Sequence, residues 1–298
     1  MIINTILQKM FMSLPNSIKN ILQEDHGIEI TNTSTTSGGS INRAYRITAK
    51  QGEFFLKYNS SAPADFFEKE AHGLQELKRA GSRLRIPEVI AVSKPNNSTP
   101  GFLLMEWIDE SRSGDSALFG AELARLHQTR RESFGLDTDN YIGSLYQQNG
   151  NYDDWVDFFV EKRIDPQLKL AFDSGKLSSG IQSHWNRLAA RLSGMMPACK
   201  PSLLHGDLWG GNYLFDESGT AVLIDPAVYY GHPEMDLAFS KMFGGFDRGF
   251  YEGYESESLL EPEFTDRVPV YNMYPLLVHV NLFGGHYTSQ FQRFIQKF

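Results

Sequence analysis

Cysteine is nearly missing from this 298-residue chain, where Cys199 is the single one. An intramolecular disulfide and a cysteine-based metal site are therefore excluded, and Cys199 reads as a small apolar filler. No run approaches the ~20 consecutive apolar residues needed to span a bilayer, so no membrane partner is expected. Basic charge is in deficit, with 28 Lys and Arg against 36 Asp and Glu, a net charge of −8. A nucleic-acid partner wants a basic face, so that class is set aside; the balance leans toward a cationic substrate. The opening stretch MIINTILQKMFMSLPNSIKN lacks a basic start, a sustained apolar centre and a small-x-small cleavage site. It does not read as an export signal, and the expected compartment is the cytoplasm. Met12 is a second candidate start. Internal repeats and low-complexity tracts are lacking too. So is GxxxxGK[ST], which counts against a Walker-type phosphate loop.

What is there suits one large domain or two modest lobes. Ile18, Ile21 and Leu22 have helical spacing, which predicts a short amphipathic helix over 15–25. The first third is otherwise strand-like, around Gly39 to Ile47, Glu53 to Tyr58 and Phe102 to Trp107. One helix interrupts it, Asp65 to Arg79, stopped by Gly81. Beyond Asp109 the pattern turns helical, over Ala117 to Thr129, Asp153 to Ala171 and Gly180 to Leu192. In the second of these, Trp155, Phe158 and Phe159 read as core. Two short strand-like pieces, Ser202 to Leu204 and Ala221 to Ile224, flank a polar glycine-rich loop, and a helical C-terminal third follows. The fold class is α+β. A small mixed lobe over 1–106 gives way, through a hinge at about 105–109, to a larger helical lobe over 110–298. No feature fixes the oligomeric state, and a monomer is the default expectation.

The densest chemistry lies in LLHGDLWGGNYLF (203–215) and VLIDPA (222–227). Phosphoryl transfer asks a protein for a carboxylate that orients and deprotonates the acceptor hydroxyl, and for oxygen ligands to Mg²⁺. Mg²⁺ is a hard ion that prefers carboxylate and amide oxygens. Asp207 supplies the base, and Asn212 and Asp225 supply the ligands. Gly210 and Gly211 are expected to let the loop turn so that Asp207 and Asn212 face one point. Turn stabilisation is the plainer role for such residues, but the apolar strand ending in Asp225, 18 residues after Asp207, favours chemistry. His205 has no second ligand at metal spacing, so it is read as a brace for the loop.

A phosphate-transferring loop implies a lysine and a helix glutamate in the first lobe. Alternation puts Phe55 and Lys57 on one strand face. Glu70 falls on the apolar stripe formed by Phe67, Leu74 and Leu77. A carboxylate there needs a cation, and Lys57 is the natural partner, while Glu68 points to solvent. In SGGSINRAYRI, Gly38 and Gly39 permit close backbone approach to phosphates, although a Gly-Gly hairpin often has no further role. Met105, Glu106 and Trp107 form the interlobe segment whose backbone would meet adenine.

With these residues in view, the chain resembles the fructosamine kinase (ketosamine-3-kinase) family, within the aminoglycoside-phosphotransferase-like branch of the protein-kinase-like fold. The resemblance runs through GGSINRAYRI, FLKYN, FEKEAHGLQEL, LLMEWI, LARLHQ, FGLDTDNYIGSL, DDWVDFFVEKRIDPQL, HGDLWGGN, IDPAVYYGHPEMDLAF and YPLLVHVNLFGGHY. It implies a bilobal fold and transfer of phosphate from ATP, with Mg²⁺, to the 3-hydroxyl of a ketoamine. That ketoamine is either a small molecule or a glycated protein side chain. The 3-phosphate is unstable and frees the amine, a deglycation repair. By the same resemblance Asp236 braces the catalytic loop. Trp209, beside the base, is expected either to stack on a sugar face or to pack under the loop. His286, after a Gly-Gly break, is expected either to reach the substrate or to be structural. Several relatives have a cysteine where this chain has Ser40 or Ile41, so a disulfide through that loop is not expected here.

Overall fold

A computed structural model describes residues 13–36 and 41–298. The described residues form two compact units. One runs to Leu74 and includes Pro87–Asp109; the other comprises Gln75–Ile86 and Glu110–Phe298.

In the first unit, helix α1 (Asn16–Glu24) buries Ile18 and Leu22, as its apolar spacing predicts. It is followed by β1 (Ile30–Thr36), β2 (Arg43–Ala49) and β3 (Gly52–Asn59), then α2 (Phe66–Arg79), whose residues from Gln75 onward fall in the second unit, and then β4 (Val89–Ser93) and β5 (Gly101–Glu106). The strands make one antiparallel sheet in the order β1-β2-β3-β5-β4. Leu56 and Tyr58 of β3 join Ile18, Leu22, Tyr45, Ile47, Phe102 and Leu104 in a core on one face of the sheet. The alternate residues Phe55 and Lys57 therefore take the other face. Helix α2 ends at Arg79, two residues before Gly81, whose φ of +72° is left-handed. Glycine adopts that conformation without steric cost.

The second unit begins with β6 (Glu110–Ser111) and α3 (Ser116–His127), the latter capped by the Asp115 carboxylate, which accepts from the Leu118 N–H at 2.8 Å. Four short strands follow, β7 (Phe134–Leu136), β8 (Asn140–Ile142), β9 (Leu145–Gln147) and β10 (Gly150–Tyr152). Then comes one continuous helical stretch, α4 (Trp155–Phe158), a π-helical turn (Phe159–Ile164) and α5 (Asp165–Asp173). Trp155, Phe158 and Phe159 are buried there. Helices α6 (Ile181–Ala189) and α7 (Leu192–Met195) lead to β11 (Ser202–Leu204), β12 (Tyr213–Asp216), β13 (Ala221–Leu223) and β14 (Tyr229–Gly231). The chain closes with α8 (Glu234–Ser240), α9 (Arg248–Glu257), α10 (Phe264–Tyr271), α11 (Met273–Phe283) and α12 (His286–Ile295). No helix among the described residues is long and apolar enough to cross a membrane.

Two strand pairings position the candidate site residues. β11 pairs with β14, and β12 pairs with β13. The connector from β11 to β12 (205–212) and the connector from β13 to β14 (224–228) are thereby brought side by side. The first contains Asp207 and Asn212, and the second contains Asp225.

Candidate active site

The loop after β11 is tied at almost every residue. The Asp236 carboxylate, in the first turn of α8 and 1% exposed, accepts from the His205 N–H at 2.7 Å and from the Gly206 N–H at 2.9 Å. Backbone donors directed at a buried carboxylate satisfy both partners. His205 is buried. Its Nε2 lies 2.9 Å from the Ile224 carbonyl, and its Nδ1 accepts from the Asp207 N–H at 3.3 Å. That pattern assigns the proton to Nε2. Burial holds the His205 imidazole below its ordinary pKa, against the pull of the Asp236 charge. His205 thus ties the 205–212 loop to the end of β13.

Asn212 Nδ2 donates to the Asp207 carbonyl at 2.8 Å and to Asp207 Oδ2 at 2.9 Å. With its nitrogen so engaged, the amide presents oxygen as its remaining polar atom, the donor a hard cation takes. Asp207 is partly exposed at its edge but closely surrounded. Desolvation pushes its carboxyl up to about 7, with Asp225 and Asp236 adding to the rise and the Asn212 hydrogen bond opposing it. A carboxylate poised near neutrality is suited to accept a hydroxyl proton. Asp225 has φ of +53° although it is not glycine and precedes Pro226. Such a conformation costs of order 1–3 kcal/mol and persists only where the surroundings impose it.

The glycines act differently from the sequence expectation. Gly210 and Gly211 do not have left-handed φ angles, so turning freedom is not what they provide. They provide space: a Cβ on Gly211 would lie 2.3 Å from the Trp209 indole, and one on Gly210 would lie 2.9 Å from the Gly244 carbonyl. The conformational need falls on Gly206, with φ of +81° and a Cβ position 2.1 Å from the Ala227 carbonyl oxygen.

Trp209 is 37% exposed, so it does not pack under the loop as core. Its ring meets Phe243 edge-on at 5.9 Å. Phe243 in turn touches His279 and Tyr287 at 4.9 and 6.5 Å, and His286 stacks on Tyr287 at 3.8 Å. Trp209 and the exposed His286 are thus joined through one aromatic cluster, of which Phe243, 40% exposed, is a member without a sequence signal.

In the first unit Lys57 and Glu70 form an ion pair, with side chains 2% and 11% exposed. Glu68 instead meets Lys94 at 3.0 Å in an exposed pair. Lys57 stands opposite Ala44 and Leu103 on the neighbouring strands. The Met105 to Trp107 segment is tied to its neighbours by hydrogen bonds. The Glu106 N–H donates to the Glu88 carbonyl at 2.9 Å, and the Trp107 N–H donates to the Glu53 carbonyl at 3.2 Å. Both amides are thus engaged within the first unit. The Trp107 ring is covered by the Arg46 guanidinium at 4.4 Å. Gly38 and Gly39 lie outside the described residues.

Sequence reasoning missed His127, 2% exposed at the end of α3. Its Nε2 is 3.2 Å from Asp236 Oδ2 and its Nδ1 is 2.9 Å from the Tyr254 hydroxyl, so it backs the brace of the loop. It also missed Asp216, which closes the β12–β13 hairpin. Hydrogen bonds from Ser218 and Arg85 hold the Asp216 carboxyl down at about 2. Cys199 is half-buried, and burial pushes its thiol up to about 12.

A β-rich first unit with a buried lysine–glutamate pair, and a helical second unit with Asp207, Asn212 and Asp225 on adjoining connectors, define a small-molecule kinase of the protein-kinase-like fold. The chain belongs to the fructosamine kinase family, whose model matches residues 13–298. A "Probable ketoamine kinase" of Lactiplantibacillus plantarum is 40% identical over 272 residues, covering 91% of this chain and 95% of that one. The chloroplastic protein-ribulosamine 3-kinase of Arabidopsis thaliana is 36% identical over 275 residues, covering 90% and 83%. Among solved structures, a protein provisionally named fructosamine-3-kinase from Thermobifida fusca superposes with a TM-score of 0.83 at 32% identity, covering 94% and 98%. An aminoglycoside phosphotransferase solved with ADP and hygromycin B shares the fold alone, with a TM-score of 0.63 at 17% identity and coverage of 94% and 98%.

Proposed function

We propose that this protein transfers the γ-phosphoryl group of ATP to the 3-hydroxyl of ketoamines, and that the product then releases its amine. The observation that carries the reading is the Asp207–Asn212 pair, in which one residue keeps a carboxylate oxygen and the other an amide oxygen for chemistry. Asp207 orients the acceptor hydroxyl and takes its proton as the phosphoryl group departs from ATP. Lys57, steadied by Glu70, holds the nucleotide phosphates. Asn212 and Asp225 are the residues that would hold Mg²⁺. Bound there, Mg²⁺ would neutralise charge on the β- and γ-phosphates. Trp209 offers its exposed face to the sugar, with His286 reaching the same region through the aromatic cluster. His205 and Asp236 keep the loop in register and take no part in proton transfer.

The test is ATP consumption by the purified protein across a fructosamine, a ribulosamine, free fructose, choline, homoserine and kanamycin. Turnover confined to the ketoamines is expected. Turnover on choline, homoserine or kanamycin instead would keep the kinase machinery and overturn the substrate.

A further inference from the structure

The π-helical turn places a fully buried cation, Arg163, in the second unit without a carboxylate partner among the described residues. A buried charge is costly unless its surroundings replace water. Here the guanidinium lies 4.0 Å over the Tyr229 ring and 4.5 Å over the Phe158 ring. Its Nη1 donates to the Gln148 carbonyl at 2.6 Å and its Nη2 donates to Asn149 Oδ1 at 2.8 Å. Aromatic faces and carbonyl oxygens thus take the place of a counter-ion. A leucine at this position would fill such a site without that difficulty, so the charge calls for a reason.

The reason lies in the direction of the hydrogen bonds. Arginine donates and never accepts, so Asn149 must turn its oxygen toward Arg163 and its nitrogen away. Asn149 Nδ2 then donates to Asn140 Oδ1 at 3.0 Å. Asn140, its oxygen engaged, turns its Nδ2 to the Val228 carbonyl at 2.9 Å. A second line starts from Tyr274, whose hydroxyl donates to Gln147 Oε1 at 2.6 Å. Gln147 Nε2 then donates to Asn140 Oδ1 at 2.8 Å and to the Ala227 carbonyl at 3.1 Å. Every amide in this buried network has one permitted orientation, and both lines end on consecutive carbonyls, those of Ala227 and Val228. These follow Asp225 by two and three residues. The Ala227 N–H also donates to the His205 carbonyl at 2.9 Å. The Ala227 carbonyl is the atom that Gly206 must avoid.

We infer that Arg163 and Tyr274 are positioning residues for Asp225. Through Asn149, Asn140 and Gln147 they clamp the 227–228 carbonyls and so hold Asp225 in its left-handed conformation, with its carboxylate at the metal-nucleotide site. A strained residue stays strained only where its neighbours over-determine it. On its other side the Ile224 N–H donates to the Asn212 carbonyl at 3.1 Å, and the Ile224 carbonyl meets His205 Nε2. The network completes the grip from the C-terminal side. This inference rests on the reading of Asp225 as a ligand of the metal that accompanies ATP.

The test uses the full chain with Tyr274→Phe, which removes one hydroxyl, and Gln147→Glu, which reverses the donor facing Ala227. Tyr271→Phe, a buried hydroxyl elsewhere in the same unit, is the matched control. Mn²⁺ binding in the presence of ATP is followed by electron paramagnetic resonance, and ATP binding without metal by calorimetry. Loss of one positioning hydrogen bond is expected to weaken Mn²⁺ binding about five-fold in Tyr274→Phe, and more in Gln147→Glu. Metal-free ATP binding and the control should be unchanged. If Tyr274→Phe lowers only the melting temperature and leaves Mn²⁺ affinity at the wild-type value, the inference is overturned. Gln147→Glu is the variant at risk of not folding, and Tyr274→Phe decides the question without it. A wild-type protein whose Mn²⁺ binding with ATP is unaffected by Asp225→Ala would instead overturn the ligand reading beneath it.

Discussion

Glu70→Leu removes the carboxylate that pairs with the Lys57 ammonium, 2% exposed. The ammonium can stay charged in the interior or give up its proton. Deprotonating a lysine of reference pKa ~10.4 at pH 7 costs ~4.6 kcal/mol, which caps the penalty. Buried pairs broken on one side lose about 3–5 kcal/mol, so the two estimates agree. Lys57→Met removes the ammonium beside the Glu70 carboxylate, 11% exposed, and the same reasoning from a reference pKa of ~4.3 caps the loss at ~3.7 kcal/mol. The double variant removes both charges and keeps the volume, and should fall within about 1 kcal/mol of the wild type. Urea denaturation of the four proteins measures this cycle, with an expected coupling of at least about 3 kcal/mol. MgATP-induced stabilisation should be lost in all three variants, because the pair's function is separate from its contribution to stability. A double variant that loses the sum of the two single losses would refute the argument, since it would show that the charges do not interact.

Asp225→Ala should raise the Mg²⁺ concentration needed for half-maximal turnover by at least about ten-fold; an unchanged requirement removes it from the ligand set. Gly206→Ala places a methyl group against the Ala227 carbonyl at a left-handed φ, and the shifted loop should cost about 100-fold in kcat, whereas wild-type kcat would mean that the loop tolerates displacement. Burial, with the nearby charges of Arg267 and Arg130 adding, holds His232 down at about 3. Because the unfolded chain takes up that proton near ~6.5, stability from this group is complete above that pH and is lost as pH falls toward 3. The loss comes to about 2 kcal/mol by pH 5, and urea midpoints that do not move between pH 7.5 and 5 would contradict it.

The proposed site residues could be read together in the sequence because their constraints are local. Asp207, Asn212 and Asp225 lie within 19 residues, and the strands that align them are adjacent in sequence. Lys57 and Glu70 were readable because each carries the periodicity of its own element. The supporting residues were not readable, since their partners are distant: His127 meets Asp236 across 109 residues, and Tyr274 meets Gln147 across 127. Strands of three residues, such as β7 to β11, are too short to show an alternation. Arg163 lies in the π turn, whose i→i+5 spacing departs from the 3.6-residue period that a sequence reading uses. Gly210 and Gly211 show a further limit: their presence was informative, but the cause, room for an indole and a carbonyl, needed coordinates.

The most direct test of the account is to locate the new phosphate by phosphorus-31 and carbon-13 NMR after incubating a ketoamine with ATP and Mg²⁺, using the wild type and Asp207→Asn. The account predicts phosphate on the sugar 3-carbon, followed by release of the free amine. For Asp207→Asn it predicts a rate lower by about 10²–10⁴-fold with MgATP binding retained. Phosphate on another hydroxyl, or near-normal turnover by Asp207→Asn, would contradict it.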